Sequence, residues 1–297
     1  MFNFLLIRQV VEEYEGMLKR SIKIEIKKAV FNKMSLVTII IALVLVLYHA
    51  VTVITGYHTF YSLYEAGLST GNPMITSDSL FCRWLGADVA SFSTSAFFFL
   101  LPLIAVLPYG WSLVGEMNSG YTKNILYRSS RKTYFLSKYV AGFMSGALAV
   151  IIPLVCSVLL LALFVPALKM ESIYPYGTIG QRCMWSGIYY EHPFVYCTLY
   201  IVLDGIFAGL ITSISTALAF FVKSKVAVVL MPFFMMLMMD YMDTHFWKNG
   251  EYSPVKFLQA LPVQNDCYGW AVFLIGVVFF VITFGTMLHM EKKYEVL

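Results

Sequence analysis

The sequence predicts an all-α integral membrane protein with six transmembrane helices and both chain ends in the cytoplasm. Of its 297 residues, 59% are hydrophobic and only 13% are charged, whereas soluble domains carry about 25% charged residues. The apolar residues form runs of about 20, the length with which a helix crosses a bilayer. Sixteen of the 21 Lys and Arg residues fall in segments that this arrangement places inside, as the positive-inside rule requires.

The N-terminal segment, residues 1–34, is predicted to be cytoplasmic and to end in an interfacial helix. It carries seven Lys or Arg residues. Ile22, Ile26, Ala29 and Val30 share one helical face, while the lysines lie elsewhere. This pattern is typical of a helix that rests on anionic headgroups.

The six-span transmembrane domain is predicted to cover residues 35–289. Its inner segments are the loop 115–138 and the tail 290–297, and its outer segments are 56–89, 169–193 and 241–268. Pro102, Pro108 and Pro153 fall inside spans and are expected to kink them. The predicted spans are 35–55, 90–114, 139–168, 194–222, 226–240 and 269–289.

The fifth of these spans has only about 15 residues, which is short for a full crossing unless neighbouring residues extend it. After it, Ser253 and Pro254 provide an N-cap and a proline at the first helical position. The sequence therefore predicts a short helix over 255–261, stopped by Pro262. We expect this helix to be re-entrant, dipping into the outer leaflet where surrounding protein can satisfy its ends.

The loop 115–138 is polar and basic and separates two long apolar runs. Gly120 permits a sharp turn because glycine readily takes positive φ. The stretch from Tyr121 to Tyr127 then alternates apolar and polar residues over about two helical turns. The sequence predicts a small surface helix here, on the cytoplasmic side.

These features together resemble the membrane subunit of a type-2 ABC exporter. The resemblance depends on six spans, a basic helix before the first, the sequence Phe-Leu-Gln-Ala-Leu-Pro at 257–262, and above all Glu116-x-x-x-Gly120 with Arg131 and Lys138 downstream. It implies an elbow helix in residues 1–34 and a coupling helix in loop 115–138 that docks on an ATPase subunit. A proline often found before the arginine is replaced by Arg-Ser-Ser. The implied coupling residues are Glu116, Gly120, Tyr121, Lys123, Arg128, Arg131 and Lys138.

The partners follow from the resemblance and from a missing motif. The chain contains no G-x-x-x-x-G-K-[ST] phosphate loop, so ATP and Mg are expected on a separate ATPase subunit. The resemblance implies two ATPase subunits and two membrane subunits, the second being another copy of this chain or a paralogue. The chain itself is expected to have no catalytic centre and no cofactor. Membrane lipid is an expected partner, nucleic acid is not, and the expected location is a bacterial plasma membrane.

Two features are candidates for the substrate pathway. Asp204 is the one acidic residue well inside a predicted span; it is either a functional group facing a central cleft between the two membrane subunits or a structural hydrogen-bonding group. The methionine-rich fifth span is either lipid-facing or a pliable wall for varied ligands. The pathway residues named from these features are Asp204, Met231, Phe234, Met235 and Met238.

The histidines and cysteines give weaker patterns. No two of the five histidines have the i, i+4 spacing of helical metal sites, so no metal is expected. Cys82, Cys183 and Cys267 fall in predicted outer segments. A disulfide between two of them is one interpretation and free thiols are the other.

Three function classes remain open. The ATP-driven exporter is favoured by the loop pattern, with amphipathic peptides as the expected substrate and lipid-linked glycans or hydrophobic drugs as alternatives. An ATP-independent secondary transporter or channel would usually show internal repeats or several buried charges. A membrane-embedded enzyme would need a cluster of catalytic groups, which the sequence does not show.

Overall fold

The computed structural model describes residues 2–68, 78–127, 130–170, 177–246, 252–261 and 266–293, with their side chains except at 2–15, 60, 63 and 64. Within these ranges every regular element is an α-helix, which confirms the predicted fold class. Five helices are long and apolar enough to cross a membrane, so the chain is a multi-pass membrane protein. The helices are α1 Phe2–Val30, α2 Lys33–Leu68, α3 Leu80–Arg83, α4 Phe92–Val106, α5 Ser112–Asn118, α6 Tyr121–Leu126, α7 Arg131–Leu161, α8 Ser186–Glu191, α9 Pro193–Leu218, α10 Lys225–Phe246, α11 Pro254–Phe257 and α12 Gly269–Lys293.

The second predicted span is not one continuous helix. α4 ends at Val106 after 15 residues, residues 107–111 form turns, and α5 begins at Ser112. Pro108 explains the break, because proline has no amide hydrogen and its ring clashes with the preceding helical turn. Pro102, by contrast, lies inside α4 without ending it. Because α4 is shorter than the five candidate spans, a sixth crossing stays a prediction.

The other predicted spans are helical but have different limits. α2 continues to Leu68, well past residue 55, and α9 and α12 agree with the prediction to within a few residues. α7 begins at Arg131, which is eight residues before the predicted start at residue 139, and it ends at Leu161. Part of the loop 115–138 is therefore the first two turns of this helix.

The fifth span is extended beyond residue 240, because α10 has 22 residues and ends at Phe246. The carboxylates of Asp240 and Asp243 lie inside this helix, where Lys256 Nζ is 3.8 Å and 3.0 Å from them. The following helix α11 is shorter than the predicted 255–261 and ends at Phe257. Ser253 is at its N-cap position as predicted, although its hydroxyl makes no capping hydrogen bond, and Pro262 lies outside the described residues.

α7 and α9 form the centre of the bundle, with the other long helices packed around them. The two backbones approach closely at Gly146, where a Cβ atom would lie 2.1 Å from Thr212 Oγ1 and 2.8 Å from the Ala208 carbonyl oxygen. Thr212 Oγ1 in turn donates to the Ala105 carbonyl of α4 at 2.9 Å. A side chain at Gly146 would therefore separate the central pair.

The two ends of the bundle differ, and we call them the α6 end and the α11 end. At the α11 end, three distant segments meet at Ala260, which is fully buried. Its amide donates to the Gly86 carbonyl at 2.7 Å, and its carbonyl accepts from the Tyr196 hydroxyl. The α6 end contains α1, α5, α6 and the first turns of α7.

Candidate functional site

α1 is the outermost helix of the α6 end and packs along the first half of α7. Ala29 of α1 contacts Tyr109 and Ala141 in a small apolar cluster. Nearer the chain start, the hydroxyls of Ser21 and Ser137 lie 3.2 Å apart. α1 is thus anchored to the body of the protein at several turns along its length.

A turn between α5 and α6 depends on Gly120. Its φ is 73°, in the left-handed region, and nothing lies within 4 Å of the position that a Cβ would occupy. The glycine is therefore needed for its backbone conformation and not for space. α6 then packs Ile125 and Leu126 against the apolar cluster that contains Tyr134.

Beneath this turn, Lys138 is buried among acceptors from three other segments. Its Nζ lies 2.5 Å from Glu116 Oε1 and 2.7 Å from Glu25 Oε2. It also donates to the Tyr109 hydroxyl at 2.8 Å and to Ser112 Oγ at 3.2 Å. Only 1% of the Lys138 side chain is exposed. These groups and Tyr134 form what we call the Lys138 network.

The network is closed by two tyrosines and a second lysine. Tyr134 donates to Glu116 Oε2 at 2.5 Å, and Tyr109 donates to Glu25. Lys28 Nζ lies 2.7 Å from Glu25 Oε1. Two carboxylates and two ammonium groups therefore balance, which is the condition under which buried charges are tolerated.

The ionisation of Glu25 is set by opposing effects. Burial would raise the pKa of its carboxyl, but the charge of Lys138 and the hydrogen bonds from Lys138, Lys28 and Tyr109 outweigh it, and the pKa lies below its usual value. Glu25 is therefore an anion at neutral pH. Because it lies on α1 and Glu116 lies on α5, one lysine of α7 links all three helices by charge.

This arrangement joins α5, α7 and α1 by short contacts between charged groups. All three N–H donors of Lys138 have acceptors, and Glu116 accepts from two groups at once. A displacement of α5 would stretch short, charge-assisted hydrogen bonds to α7 and through it to α1. The network is therefore a mechanical link between the α5–α6 turn and the helices beneath it.

The structure brings some of the predicted coupling residues together and leaves others apart. Glu116 and Lys138 bond directly, and Gly120 forms the turn beside them. Tyr121 is half exposed and its ring lies 5.7 Å from Lys28 Nζ. Lys123 and Arg131 are exposed at the edge of the same end. Arg128 lies outside the described residues.

Four network residues were not predicted: Glu25, Tyr109, Ser112 and Tyr134. A signal for Glu25 was present, because it lies three residues after Ile22 and one before Ile26, on the apolar face of α1. A carboxylate on such a face needs a partner. The sequence contains no comparable signal for Tyr109 and Tyr134, because nothing in their local sequence distinguishes them from the many other aromatic residues of this membrane protein.

Asp204 lies inside the protein and not at a surface. It is fully buried in α9, and within the described residues neither carboxylate oxygen has a hydrogen-bond partner. This burial does not agree with the expectation that Asp204 borders a cleft between two subunits. The helix face on which it lies is occupied by packing of this same chain, as the buried neighbours Tyr200 and Gly205 indicate.

The predicted methionine wall is mostly at the surface. Met231, Phe234 and Met238 are exposed, and Met235 is half-buried. Met235 and Met238 line a cavity of about 590 Å³ between α10 and α12. The other two face away from it.

The structure joins none of the predicted outer cysteines in a disulfide. Cys82, Cys183 and Cys267 form no disulfide in the structure, although the amide of Met184 donates to the Cys267 carbonyl at 2.9 Å, which brings two of their segments together. Among the described residues, no group of three or more His, Cys, Asp or Glu side chains is placed to hold a metal ion.

Comparison with known proteins gives a family but no activity. A family model described as protein of unknown function (DUF2705) matches residues 84–293, more than two thirds of the chain. The chain belongs to the DUF2705 family. The DUF2705 match includes Glu116, Gly120, Arg131 and Lys138, whereas Glu25 and the rest of α1 precede it. No curated protein matches the chain.

Proposed function

We propose that this DUF2705 chain is the membrane subunit of an ATP-driven exporter of the type-2 ABC class. In this proposal α6 is the coupling helix that docks on a separate ATPase subunit, α1 is the elbow helix at the cytoplasmic membrane surface, and α11 is a re-entrant helix on the other side. α4 makes the sixth crossing. Two such chains form the pathway for amphipathic peptides across a bacterial plasma membrane.

The Lys138 network is the observation that carries the proposal. A coupling helix must pass force from a soluble motor into the membrane, so its base needs a rigid connection to the spans. α5 leads directly into α6, and Glu116 of α5 is fixed to Lys138 of α7 by a 2.5 Å ion pair. Lys138 extends the connection to α1 through Glu25.

The exposed cations around α6 support a docking role. Arg131 and Lys132 are the first two residues of α7 and both are exposed. Positive charge at a helix N-terminus is unfavourable by about 0.3 to 1 kcal/mol, because it opposes the helix dipole. Arg131 and Lys132 therefore destabilise the start of α7. Exposed cations that do not stabilise the fold favour a role in binding an acidic partner surface.

Reconstitution with the ATPase of the same genetic locus tests the proposal. Gly120→Pro removes an amide hydrogen and the positive φ of the turn, and Arg131→Glu reverses one exposed charge. We expect Gly120→Pro to abolish ATPase binding and Arg131→Glu to weaken it less, with the membrane chain still folded in both variants, although Gly120→Pro should lower its unfolding temperature. Arg182→Glu, an exposed cation at the α11 end, is the matched control.

Two outcomes would overturn the proposal. One is a purified chain that binds no ATPase and transports in its absence, as a secondary transporter would. The other is full coupling by both α6 variants. Orientation is tested separately with single cysteines in intact cells: Ser130→Cys and Ser224→Cys are expected to be protected from an impermeant thiol reagent, while Gln181→Cys reacts.

A further inference from the structure

Two segments run side by side at the α11 end, where one leads into α8 and the other into α12. Their exposed contact is an ion pair, with Arg182 Nη1 3.4 Å from Asp266 Oδ2. Beneath it, the Met184 amide donates to the Cys267 carbonyl at 2.9 Å. A Cβ atom at Gly269 would lie only 3.3 Å from the Met184 side chain. The two segments are therefore in register, with an offset of 84 residues along the chain.

Cys183 and Cys267 occupy equivalent positions in this register, each directly after a member of the ion pair. The ion pair faces solvent, since 77% of the Arg182 side chain is exposed, whereas Cys183 and Cys267 are only 8% and 1% exposed. Both thiols lie within electrostatic range of the same two hydroxyls, those of Tyr196 and Tyr200. The two cysteine side chains thus point into the protein on the same side of the paired segments.

The main-chain hydrogen bond limits the distance between the two cysteines. Its donor nitrogen is bonded to the carbonyl carbon of Cys183, and its acceptor is the carbonyl oxygen of Cys267 itself. Each of these atoms lies about 2.4 Å from the Cα of its cysteine, so the two Cα atoms are at most about 8 Å apart. Disulfides span Cα distances of about 4.4 to 6.8 Å. Bridging therefore needs side-chain rotation and at most a small shift of the backbone.

Cys82, the third predicted outer cysteine, has different neighbours. Its Sγ donates to the Ser79 carbonyl at 3.2 Å, and a Cβ atom at Gly177 would lie 2.7 Å from Cys82 Cβ. Of the three pairings that the sequence leaves open, the structure therefore favours Cys183 with Cys267.

We propose that Cys183 and Cys267 form a disulfide by exchange with a disulfide-bearing oxidant outside the membrane. The thiolate of Cys183, the more exposed of the two residues, attacks the oxidant disulfide and releases one thiol. The Cys267 thiolate then attacks the Cys183 sulfur of the mixed disulfide and releases the second thiol. The protein loses two protons and two electrons, and the oxidant gains them. The outer location rests on the proposed orientation of the spans, but the pairing does not.

The bond joins the segment before α8 to the segment before α12. It closes a loop of the chain that contains α8, α9, α10 and α11. A long closed loop restricts the unfolded chain and thereby stabilises the folded state. Oxidation should therefore raise the temperature at which the protein unfolds.

The test uses the purified full chain in lipid nanodiscs, incubated with oxidised glutathione and digested without reductant. Mass spectrometry is expected to find the Cys183 and Cys267 peptides linked, and the thiols counted after denaturation should fall from five to three. The oxidised protein should unfold at a higher temperature than the same sample after reduction, and Cys183→Ser should lose this difference. Cys82→Ser is the matched control and should keep both the linked peptides and the difference.

Three outcomes would overturn the proposal. They are a linked peptide that contains Cys82, a count of five free thiols after oxidation, and a glutathione adduct on Cys183 without a bond to Cys267. Protein from intact cells, with thiols blocked at lysis, should already contain the bond, and reduced cysteines in that sample would contradict its formation in the cell. Failure of ATPase coupling would leave all these assays unaffected.

Discussion

Lys138 and Asp204 are both buried ionisable residues on the two central helices, but their surroundings are opposite. Lys138 has acceptors from four side chains within 3.2 Å. Asp204 is 0% exposed and has no hydrogen-bond partner among the described residues. Burial alone therefore does not identify a residue that holds the fold together. Such a residue is identified by whether its charge and its hydrogen bonds are balanced. By this criterion Lys138 stabilises the fold and connects its helices, whereas buried Asp204 destabilises the fold and packing around it offsets the loss.

The largest expected effect comes from breaking the satisfied region. Lys138→Met leaves the carboxylates of Glu25 and Glu116 without their shared counter-charge. Removing one member of a buried ion pair typically costs about 3 to 5 kcal/mol. We expect a loss of this size in the free energy of unfolding, measured by denaturant titration in detergent, and loosened packing of α1, measured by amide hydrogen exchange.

Lys132→Met is the matched control for that change, since Lys132 is on the same helix and exposed. It should alter the free energy of unfolding by less than about 0.5 kcal/mol. If Lys138→Met were equally harmless, the short contacts around Lys138 would not be stabilising the α6 end, and the proposed link between α1 and α5 would be lost with them.

Replacing Asp204 should change the free energy of unfolding in the opposite direction to replacing Lys138. Asp204→Leu replaces an unsatisfied buried carboxyl with an apolar side chain of similar size. Because the unmet desolvation cost of such a group is about 1 to 3 kcal/mol, the variant should be as stable as the wild type or more stable by up to that amount. A clear loss of stability would show that Asp204 has a partner, and Asp204→Asn would then identify it as a hydrogen-bonding group or as a charge.

A smaller effect is expected from pH. The pKa of Glu25 is held below its usual value, because the charge and hydrogen bonds of Lys138 outweigh the opposing effect of burial. Such a carboxylate stabilises the folded state above its unfolded pKa of about 4.3 and loses that contribution as pH falls through the lower folded value. The stability difference between the wild type and Glu25→Gln should therefore be constant from neutral pH to about pH 5 and shrink below it. A difference that grows on acidification would reverse the assigned sign.

The smallest expected effect concerns the turn that leads into α6. Gly120→Ala should cost about 1 kcal/mol, because its φ of 73° is unfavourable for an L-residue even though the space for a methyl group is open. Gly285→Ala is the control. It also has open space but lies in the helix α12, where alanine is favoured over glycine by up to about 1 kcal/mol. Thermal unfolding of the two variants should therefore shift in opposite directions.

Much of the fold could be predicted because apolar helices leave a strong signal in composition. The helical class and the approximate positions of α2, α7, α9 and α12 followed from runs of hydrophobic residues. The predicted ends of the helices were wrong where a tertiary contact keeps a charged residue inside a helix despite the polar local sequence. Lys138 was predicted to lie in a loop, yet its charge is neutralised inside α7. Asp243 was predicted to lie in an outer segment, yet it is inside α10 and Lys256 neutralises its charge.

The candidate site could be predicted only in part. Glu116, Gly120 and Lys138 were singled out by the resemblance to type-2 ABC exporters, and the structure brings them together at one end. Glu25 could not be paired with Lys138 in advance, because five helices lie between them in the chain and their contact depends on how α1 packs. The depth of Asp204 followed from its place within a predicted span, whereas its surroundings are set by the helices on either side of α9.

The meeting of three segments at Ala260 has a consequence for biosynthesis. Both backbone groups of Ala260 are bonded to Gly86 and Tyr196, and Ala260 is synthesised roughly 170 residues after Gly86. At about 5 to 20 residues per second, on the order of 10 to 35 s pass between them on the ribosome. During this interval the Gly86 carbonyl and the Tyr196 hydroxyl have no native partner. The α11 end therefore cannot be completed before Ala260 has been synthesised, and a chain truncated before this residue would leave that end open to quality-control proteases.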